Sequence, residues 1–205
     1  MIRRKIITAP STIEDAYFAK GIQYIAGIDE AGRGPLAGPV LACAIILPYG
    51  VIVEGVNDSK KLTTKRREEL SETIKEVAIC YTFGIVEPHD IDKINILQAT
   101  LKAMQIAVKS LDITPEIALV DGNTPPKLSC KVECIVGGDS ASHLIAAASI
   151  LAKVERDKIM LELHKKYPQY GFDTHKGYGT VVHRKALKEY GLCPQHRESF
   201  CHLNR

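Results

Sequence analysis

Four acidic residues stand where apolar segments of the sequence end or begin. Asp29 and Glu30 close the apolar run IAGIDE, and Asp121 closes the run IALVD. Asp139 follows two glycines and opens a long segment rich in Ala, Ile and Leu. Each acid alone has an ordinary explanation as a turn residue, a helix cap or part of a solvated pair. Together they predict a cluster, because ligand sites of α/β proteins form at the carboxyl ends of strands.

Clustered carboxylates favour metal-dependent phosphoryl chemistry. They repel one another, which raises their pKa values and destabilises the fold unless a cation neutralises them. Hard oxygen ligands suit Mg²⁺ or Mn²⁺, and two such ions about 3.5–4 Å apart commonly serve phosphodiester hydrolysis. Neighbouring strand residues point to opposite faces, so Asp29 and Glu30 share one site only if the strand ends there or one acid approaches from an edge.

A glycine-rich turn, Gly32-Arg33-Gly34-Pro35, follows the acid pair directly. Its glycines allow the backbone to approach a ligand closely, and the guanidinium of Arg33 can bind a phosphate. The turn is not a P-loop, because no GK[ST] follows. It resembles a dinucleotide fingerprint faintly, but the preceding acids would repel a pyrophosphate. By itself the turn is a weak signal.

Basic residues crowd two segments, although the net charge is only +3. Such segments are either solvated helix faces or surfaces that bind phosphates. The net charge is too small to decide between them. The residues are Lys60, Lys61, Lys65, Arg66 and Arg67 in the first segment, and His175, Lys176, His183, Arg184 and Lys185 in the second.

The hydrophobic pattern predicts alternating strands and helices, and therefore an α/β fold with a mixed central sheet. Strands are expected over 24–29, 40–47, 78–86, 117–121 and 132–136. Helices are expected over 63–77, with Thr63 or Thr64 as its cap, over 95–111 and from 139 to about 163, and residues 186–190 are expected to be part of a final short helix. No repeat or linker is evident, so we expect a single domain over residues 1–205. Residues 1–22 form an N-terminal arm or helix of unassigned role.

The composition excludes several classes of protein. No apolar run reaches about 18 residues, which argues against a membrane span. The N-terminus does not resemble a signal peptide, so we expect a cytoplasmic protein whose six cysteines are reduced thiols. A zinc site is the alternative for one cluster, but no CxxC pair supports it. That cluster contains Cys193, Cys201, His196 and His202.

The segment GIDEAGRGPLAGPV, at 27–40, is similar to the first signature of the ribonuclease HII family. The remaining blocks are NDSKKLTTKRREEL at 57–70, VDGN at 120–123, GGDSASHLIAAASILAKVERD at 137–157, YPQYGFDTHKGYGT at 167–180 and PQHRESF at 194–200. The blocks span nearly the whole chain and follow the same order as in the family, so the resemblance is specific.

The resemblance implies a ribonuclease-H-like fold and an endonuclease that cuts the RNA strand of RNA/DNA hybrids. It also implies cleavage on the 5′ side of ribonucleotides embedded in duplex DNA, leaving 3′-OH and 5′-phosphate ends. Two divalent ions, Mg²⁺ or Mn²⁺, would be held by the family's catalytic carboxylates, which match Asp29, Glu30, Asp121 and Asp139. The family's loop that reads the ribose 2′-OH matches Gly32, Arg33 and Gly34, and its junction-sensing tyrosine matches Tyr178. Candidates for phosphate contacts are Lys60, Lys61 and Lys176.

Related families and functions make different predictions. Ribonuclease HIII typically has lysine where this chain has Arg33, and it carries an added N-terminal domain. The chain ends soon after PQHRESF, so substrate contacts made by a C-terminal extension in some relatives are in doubt. Tyr178 could instead be a buried packing residue. A non-catalytic nucleic-acid-binding module and a metal-dependent phosphatase are the rival functions, and we expect a monomer.

Overall fold

A mixed β-sheet forms the centre of the structure, a computed structural model that describes residues 8–201. In this part of the chain the sheet has five strands in the order β3-β2-β1-β4-β5. β2 lies antiparallel to both β1 and β3, whereas β4 lies parallel to β1 and β5. The strands are β1 (Ile25–Ala31), β2 (Val40–Ile46), β3 (Cys80–Val86), β4 (Ile117–Asp121) and β5 (Lys131–Ile135). The five predicted strands are confirmed, each within two residues of its expected bounds.

Helices cover both faces of the sheet, which explains why the central strands are apolar throughout. Along β2, Leu41, Cys43 and Ile45 pack in a core with the helix over His143–Lys166. The alternate residues of β2 pack in a second core with the helix over Pro88–Lys109. The helices are α1 (Thr12–Phe18), α2 (Thr64–Val77), α3 (Pro88–Lys109), α4 (Gly138–Ala141), α5 (His143–Lys166), α6 (Phe172–His175) and α7 (Val181–Tyr190).

The predicted helix from 139 to about 163 is wrong at its beginning, because the backbone breaks at Ser142. That residue is extended (φ −132°, ψ 128°), and its hydroxyl accepts a hydrogen bond from the Ile145 N–H. Ser142 therefore caps α5, and Asp139 lies in the separate short helix α4. Hydrophobic spacing could not reveal this break, because α5 is buried along most of its first three turns.

Helix α3 begins earlier than the apolar spacing predicted, and α7 contains the predicted segment 186–190. α3 begins at Pro88, and Asn95 (φ 64°) interrupts it at the residue where the predicted helix began. A proline fits the first turn of a helix because that turn needs no N–H donor. α7 begins at Val181, where the Thr180 hydroxyl accepts from the His183 N–H. The cap of α2 is Thr63, one of the two predicted candidates.

The N-terminal segment is attached to α5 through α1. The Glu14 carboxylate accepts hydrogen bonds from the Ser142 hydroxyl at 2.6 Å and from the Leu144 N–H at 2.9 Å. It thereby satisfies a donor at the first turn of α5 that the helix itself leaves unpaired. The helical alternative for the N-terminal arm is confirmed over Thr12–Phe18; its residues 1–7 lie outside the described part. No helix within residues 8–201 is long and apolar enough to cross a membrane.

Candidate active site

A cavity of about 230 Å³ opens beside the carboxyl ends of β1 and β4. Strands β1 and β4 are parallel neighbours, so Asp29 and Asp121 reach the same edge of the sheet. Helix α5, the loop after β1, the turn at Ser59–Lys61 and the loop before α7 contribute the other walls. The lining residues are Asp29, Glu30, Ala31, Gly32, Arg33, Gly34, Ser59, Lys60, Asp121, Ser149, Lys153, Arg156 and Tyr178.

Asp29 and Glu30 both line this cavity, just past Ile28, the last residue of β1 that pairs with β4. Asp29 is only 6% exposed, and its Oδ1 accepts from the Glu30 N–H at 2.7 Å. Burial, followed by the charges of Glu30 and Asp121, raises the pKa of Asp29 well above its usual range. Burial also raises the pKa of Glu30, and the charge of Arg33, 3.4 Å away, counteracts this rise. The two adjacent acids thus meet at an edge of β1 that β4 leaves unpaired.

Asp121 is fixed by the backbone of the α4 segment. Its Oδ1 accepts from the Gly138 N–H at 2.7 Å. A Cβ at Gly138 would lie 2.6 Å from Ile145 Cδ1 and 3.2 Å from the Asp121 carboxylate, so a larger residue there would displace the Ile145 side chain. This contact connects the end of β4 to the short helix that carries Asp139.

Asp139 does not itself line the cavity, but it lies 3.7 Å from Lys60 Nζ, which does. Its side chain is largely buried. Burial, followed by the charges of Asp58 and Asp121, raises the pKa of Asp139. The structure therefore brings three of the predicted carboxylates to one cavity and places the fourth beside its lysine.

The carboxylates supply oxygen donors that suit a divalent cation, but their side chains are not arranged around a common metal position. Among residues 8–201, no three Asp, Glu, His or Cys side chains form a group arranged to hold a metal. Asp29 and Asp121 bond to backbone N–H groups, while Glu30 and Asp139 each face a basic side chain. The donors are hard oxygens, which suit Mg²⁺ or Mn²⁺. A cation would also offset the burial and the carboxylate repulsion that raise the pKa values of Asp29 and Glu30.

The alternative zinc cluster does not assemble within the described residues. Cys193 and Cys201 are buried free thiols. His196 Nδ1 accepts from the Cys193 N–H at 2.9 Å, so that ring is engaged with the backbone. The remaining member of the proposed cluster, His202, lies outside residues 8–201.

Two buried arginines, which the sequence analysis missed, shape the glycine-rich loop. Arg197 is fully buried, and its guanidinium donates to Gly32 O at 2.6 Å, Arg33 O at 3.0 Å and Gly38 O at 2.8 Å. Arg156 fills the space behind the loop, since a Cβ at Gly32 (φ 96°) would lie 2.0 Å from Arg156 Nε. Burial lowers the pKa of Arg197 to about 9 and that of Arg156 to about 10. The carbonyls of this loop are therefore turned towards buried cations.

Tyr178 lies on the open side of the same loop. Its side chain is 46% exposed, and its Cε1 is 3.6 Å from the position that a Cβ of Gly34 would occupy. The ring therefore covers the loop from the cavity side, and it is not the buried packing residue of the alternative interpretation. An exposed aromatic ring beside a glycine is a suitable platform for a base or a sugar.

The three lysines predicted to contact phosphates differ in where they lie relative to the cavity. Lys60 lines the cavity and its side chain is 84% exposed. The backbone of Lys61 closes the short turn Ser59–Lys61, but its side chain lies outside the described part of the structure. Lys176 is not brought to the cavity. Its ammonium donates to Asp173 O and its carbonyl accepts from Arg156 Nη1.

Known proteins resemble this chain over most of its length. A profile of the family described as Ribonuclease HII matches residues 26–203.

The chain belongs to the ribonuclease HII family.

Ribonuclease HII of Acetivibrio thermocellus is 54% identical over 187 residues, which cover 91% of this chain and 73% of that protein. The crystal structure of ribonuclease H2 from Pyrococcus horikoshii OT3 superposes with a TM-score of 0.70 at 28% identity, covering 86% of this chain and 93% of that one. Bst-RNase HIII in complex with Mn²⁺ has a TM-score of 0.71 at 16% identity, covering 97% of this chain and 73% of that one; it supports the fold alone. The ribonuclease-H-like fold is therefore confirmed.

Membership of the ribonuclease HII family also confirms the class of chemistry. The chain is a divalent-metal-dependent endonuclease of the ribonuclease H class, a hydrolase that acts on RNA/DNA substrates. Arg33, which stands where lysine is expected in ribonuclease HIII, agrees with this assignment.

Proposed function

We propose that this ribonuclease HII cuts the RNA strand of RNA/DNA hybrids and cuts on the 5′ side of ribonucleotides embedded in duplex DNA. Cleavage leaves 3′-OH and 5′-phosphate ends. The observation that carries the proposal is one cavity in which buried acids adjoin a glycine-rich loop and an exposed tyrosine. The acids supply metal ligands, and the loop and ring supply a surface that can distinguish one sugar from another.

In this proposal Asp29, Glu30, Asp121 and Asp139 hold two divalent ions, either Mg²⁺ or Mn²⁺. Two bound ions supply an activated water and charge stabilisation for the leaving oxygen. Hydrogen bonds orient two of these ligands: a backbone N–H group donates to Oδ1 of Asp29, and another donates to Oδ1 of Asp121. These hydrogen bonds hold both carboxylates in place, which lowers the reorganisation that cation binding requires.

Sugar recognition rests on Gly32, Arg33 and Gly34, whose backbone would meet the ribose 2′-OH. That hydroxyl is the group by which a protein distinguishes RNA from DNA. Arg197 supports the assignment because it immobilises two carbonyls of this loop. Tyr178 would stack on the sugar or base that follows the ribonucleotide. We expect little sequence specificity, because the discriminating group belongs to the sugar.

Phosphate contacts are proposed for Lys60, Lys61 and Lys176, with the strongest support for Lys60, which lies in the cavity wall. Such contacts fix the register of the duplex without reading its sequence. We also propose that residues 1–205 act as one catalytic domain and as a monomer. The cytoplasmic location stays a prediction.

A comparison of four substrates tests the proposed function. These are a duplex with one ribonucleotide, a long RNA/DNA hybrid, an all-DNA duplex and a mononucleotide, each in Mg²⁺ and in Mn²⁺. We expect cleavage of the first two, with a cut on the 5′ side of the single ribonucleotide. Hydrolysis of the mononucleotide alone would indicate a phosphatase, and binding of duplexes without cleavage would indicate a non-catalytic module. Either result would overturn the proposal.

Asp121→Asn is the matched inactive variant for this assay. The amide retains an oxygen that can accept from the Gly138 N–H, so the fold should survive. Cleavage should fall by at least about a hundredfold, since metal-ion charge stabilisation is worth several kcal/mol. Asp90→Asn is the control, because Asp90 pairs with Lys102 on the exposed surface of α3. Near-normal cleavage by Asp121→Asn at saturating Mg²⁺ would contradict its role as a ligand.

A further inference from the structure

Three histidines form a buried cluster directly behind the Tyr178 loop. His175, His183 and His196 are 8%, 0% and 3% exposed. The rings of His175 and His183 stack with centroids 4.5 Å apart, and Nε2 of His183 lies 3.0 Å from Nε2 of His196. The proposed metal chemistry and substrate contacts do not use these rings.

The hydrogen bonds of the cluster define a single set of neutral tautomers. His196 Nδ1 accepts from the Cys193 N–H at 2.9 Å, so its proton is on Nε2. The other contact of that Nδ1, with Cys193 O at 3.3 Å, is longer, and this carbonyl already accepts from the His196 N–H. The His196 Nε2–H therefore donates to His183 Nε2.

The tautomer of His196 determines that of His183, which contacts the loop that carries Tyr178. Because its Nε2 accepts, its proton is on Nδ1, which donates to Tyr178 O at 2.9 Å. His175 is assigned independently: its Nδ1 accepts from the Gly177 N–H at 3.2 Å, and its Nε2–H donates to Tyr170 O at 2.8 Å. The backbone on both sides of the Gly177–Tyr178 peptide is thus held by an imidazole.

We propose that the imidazoles of His175, His183 and His196 position Tyr178 for substrate, with His183 as the residue that sets its backbone. The proposal rests on the proposed function, because it assumes that Tyr178 contacts the duplex. The Tyr178 side chain is nearly half exposed, so its placement depends strongly on how its backbone is held. The cluster supplies that support from the interior.

The neutral state of the cluster is consistent with its surroundings. The rings of Tyr170 and Phe172 pack against it, and no carboxylate hydrogen-bonds to these imidazoles within residues 8–201. Burial lowers the pKa of all three histidines, that of His196 to about 4. A second proton on His183 would point at the Nε2–H of His196, so the network requires three neutral rings.

Nitrogen-15 NMR of the histidine rings in the unmodified protein tests the network directly. At neutral pH we expect protonated Nε2 in His175 and His196, and protonated Nδ1 in His183. His89, which is exposed, supplies the reference for averaged tautomers. A protonated Nε2 in His183, or rapid averaging of its tautomers, would overturn the proposal whether or not the protein cleaves any substrate.

Two substitutions of His183 separate its two hydrogen bonds. In His183→Asn the amide nitrogen can occupy the Nδ1 position and donate to Tyr178 O. In His183→Gln the amide can occupy the Nε2 position and accept from His196, while the donor to Tyr178 is lost. Each variant keeps one of the two hydrogen bonds of His183 and loses the other, and thermal unfolding of both measures the accompanying loss of stability. We expect His183→Gln to cleave the single-ribonucleotide duplex about tenfold less efficiently than His183→Asn, the effect of one hydrogen bond.

Combining His183→Asn or His183→Gln with Tyr178→Ala distinguishes positioning of Tyr178 from general destabilisation. If the cluster acts through the Tyr178 ring, the tenfold difference should disappear when the ring is absent. A difference that persists there, or equal activity of the two variants in the presence of Tyr178, would overturn the proposal. If a variant does not fold, the NMR assignment still decides. If the wild-type protein fails to cut the duplex, the proposed function fails and the tautomer test remains valid.

Discussion

At the scale of the residue, Asp29 has the least favourable electrostatic environment of the four candidate ligands. It lies on the central strand, almost fully buried, with Glu30 and Asp121 as its charged neighbours. The effect extends to the neighbouring strand, where burial, followed by the charge of Asp29, raises the pKa of the Cys43 thiol. A buried acid cluster of this kind favours cation binding at the expense of metal-free stability.

Asp29→Asn should therefore stabilise the metal-free protein. A folded-state pKa that is raised above the unfolded value means that ionisation opposes folding. This penalty is absent at low pH, where the acid is protonated in both states, and grows as the pH rises towards the folded-state pKa. We expect the variant to melt several degrees above wild type at pH 8 with a chelator present, and close to wild type at pH 4.

The amide can keep the contact with the Glu30 N–H, so the comparison isolates the charge. Addition of Mg²⁺ should raise the melting temperature of wild type and have little effect on Asp29→Asn, because ligand binding to the folded state stabilises it. Thermal unfolding across this pH range measures both effects. A wild-type protein that is the more stable of the two at pH 8 without metal would contradict this account of Asp29.

The sequence identified some residues of the site and could not identify others. Asp29 and Asp121 could be identified because each acid ends an apolar run, a position that strand geometry makes meaningful. Arg197 could not, since its role depends on contacts with Gly32 and Arg33, which lie more than 160 residues earlier in the chain. A buried arginine that donates to backbone carbonyls has no characteristic spacing.

At the scale of the element, the packing of α5 on β1 determines the shape of the cavity. β1 carries Asp29, and α5 contributes Ser149, Lys153 and Arg156 to the cavity wall. The two elements are close because Gly27 has no side chain. A Cβ there would lie 2.4 Å from the Leu144 carbonyl carbon, and backbone atoms cannot move away as a side chain can.

Gly27→Ala should consequently lower the free energy of unfolding by at least about 3 kcal/mol, the upper range for overpacking. It should also reduce cleavage, because α5 must move relative to the acid on β1. Gly50→Ala is the comparison for backbone strain without a steric clash: Gly50 has φ 75°, which disfavours alanine, but its added Cβ meets no atom within 4 Å. Urea unfolding of both variants measures the effect, and equal stability would show that the β1–α5 distance is not restrictive.

The elements also illustrate what hydrophobic spacing can predict. The strand β4 was predicted at its observed bounds, because a short apolar run flanked by turn residues has one simple interpretation. Breaks within apolar helices were not predicted. At Ser142 and Asn95 the interruption depends on a capping side chain and an unusual backbone angle, and neither changes the hydrophobic pattern.

At the scale of the whole molecule, the substrate surface combines segments that are distant in sequence. The acid edge of the sheet, the loop after β1 and the loop before α7 meet at one cavity, and buried arginines and histidines support the two loops from inside. The order of the sequence blocks predicted the fold and the family. It did not predict this polar interior, because hydrogen bonds between distant loops become visible only after the chain has folded.

The central claim is that divalent ions held by this carboxylate cluster contact the scissile phosphate on the 5′ side of the ribonucleotide. Sulfur in place of one non-bridging oxygen of that phosphate tests it, with each diastereomer measured separately. Mg²⁺ prefers oxygen ligands, whereas Mn²⁺ tolerates softer ones. We predict that at least one diastereomer is cut much more slowly than the normal duplex in Mg²⁺ and that Mn²⁺ restores its rate. Equal rates for both diastereomers and the normal duplex in Mg²⁺, or a sulfur effect that Mn²⁺ leaves unchanged, would contradict the claim.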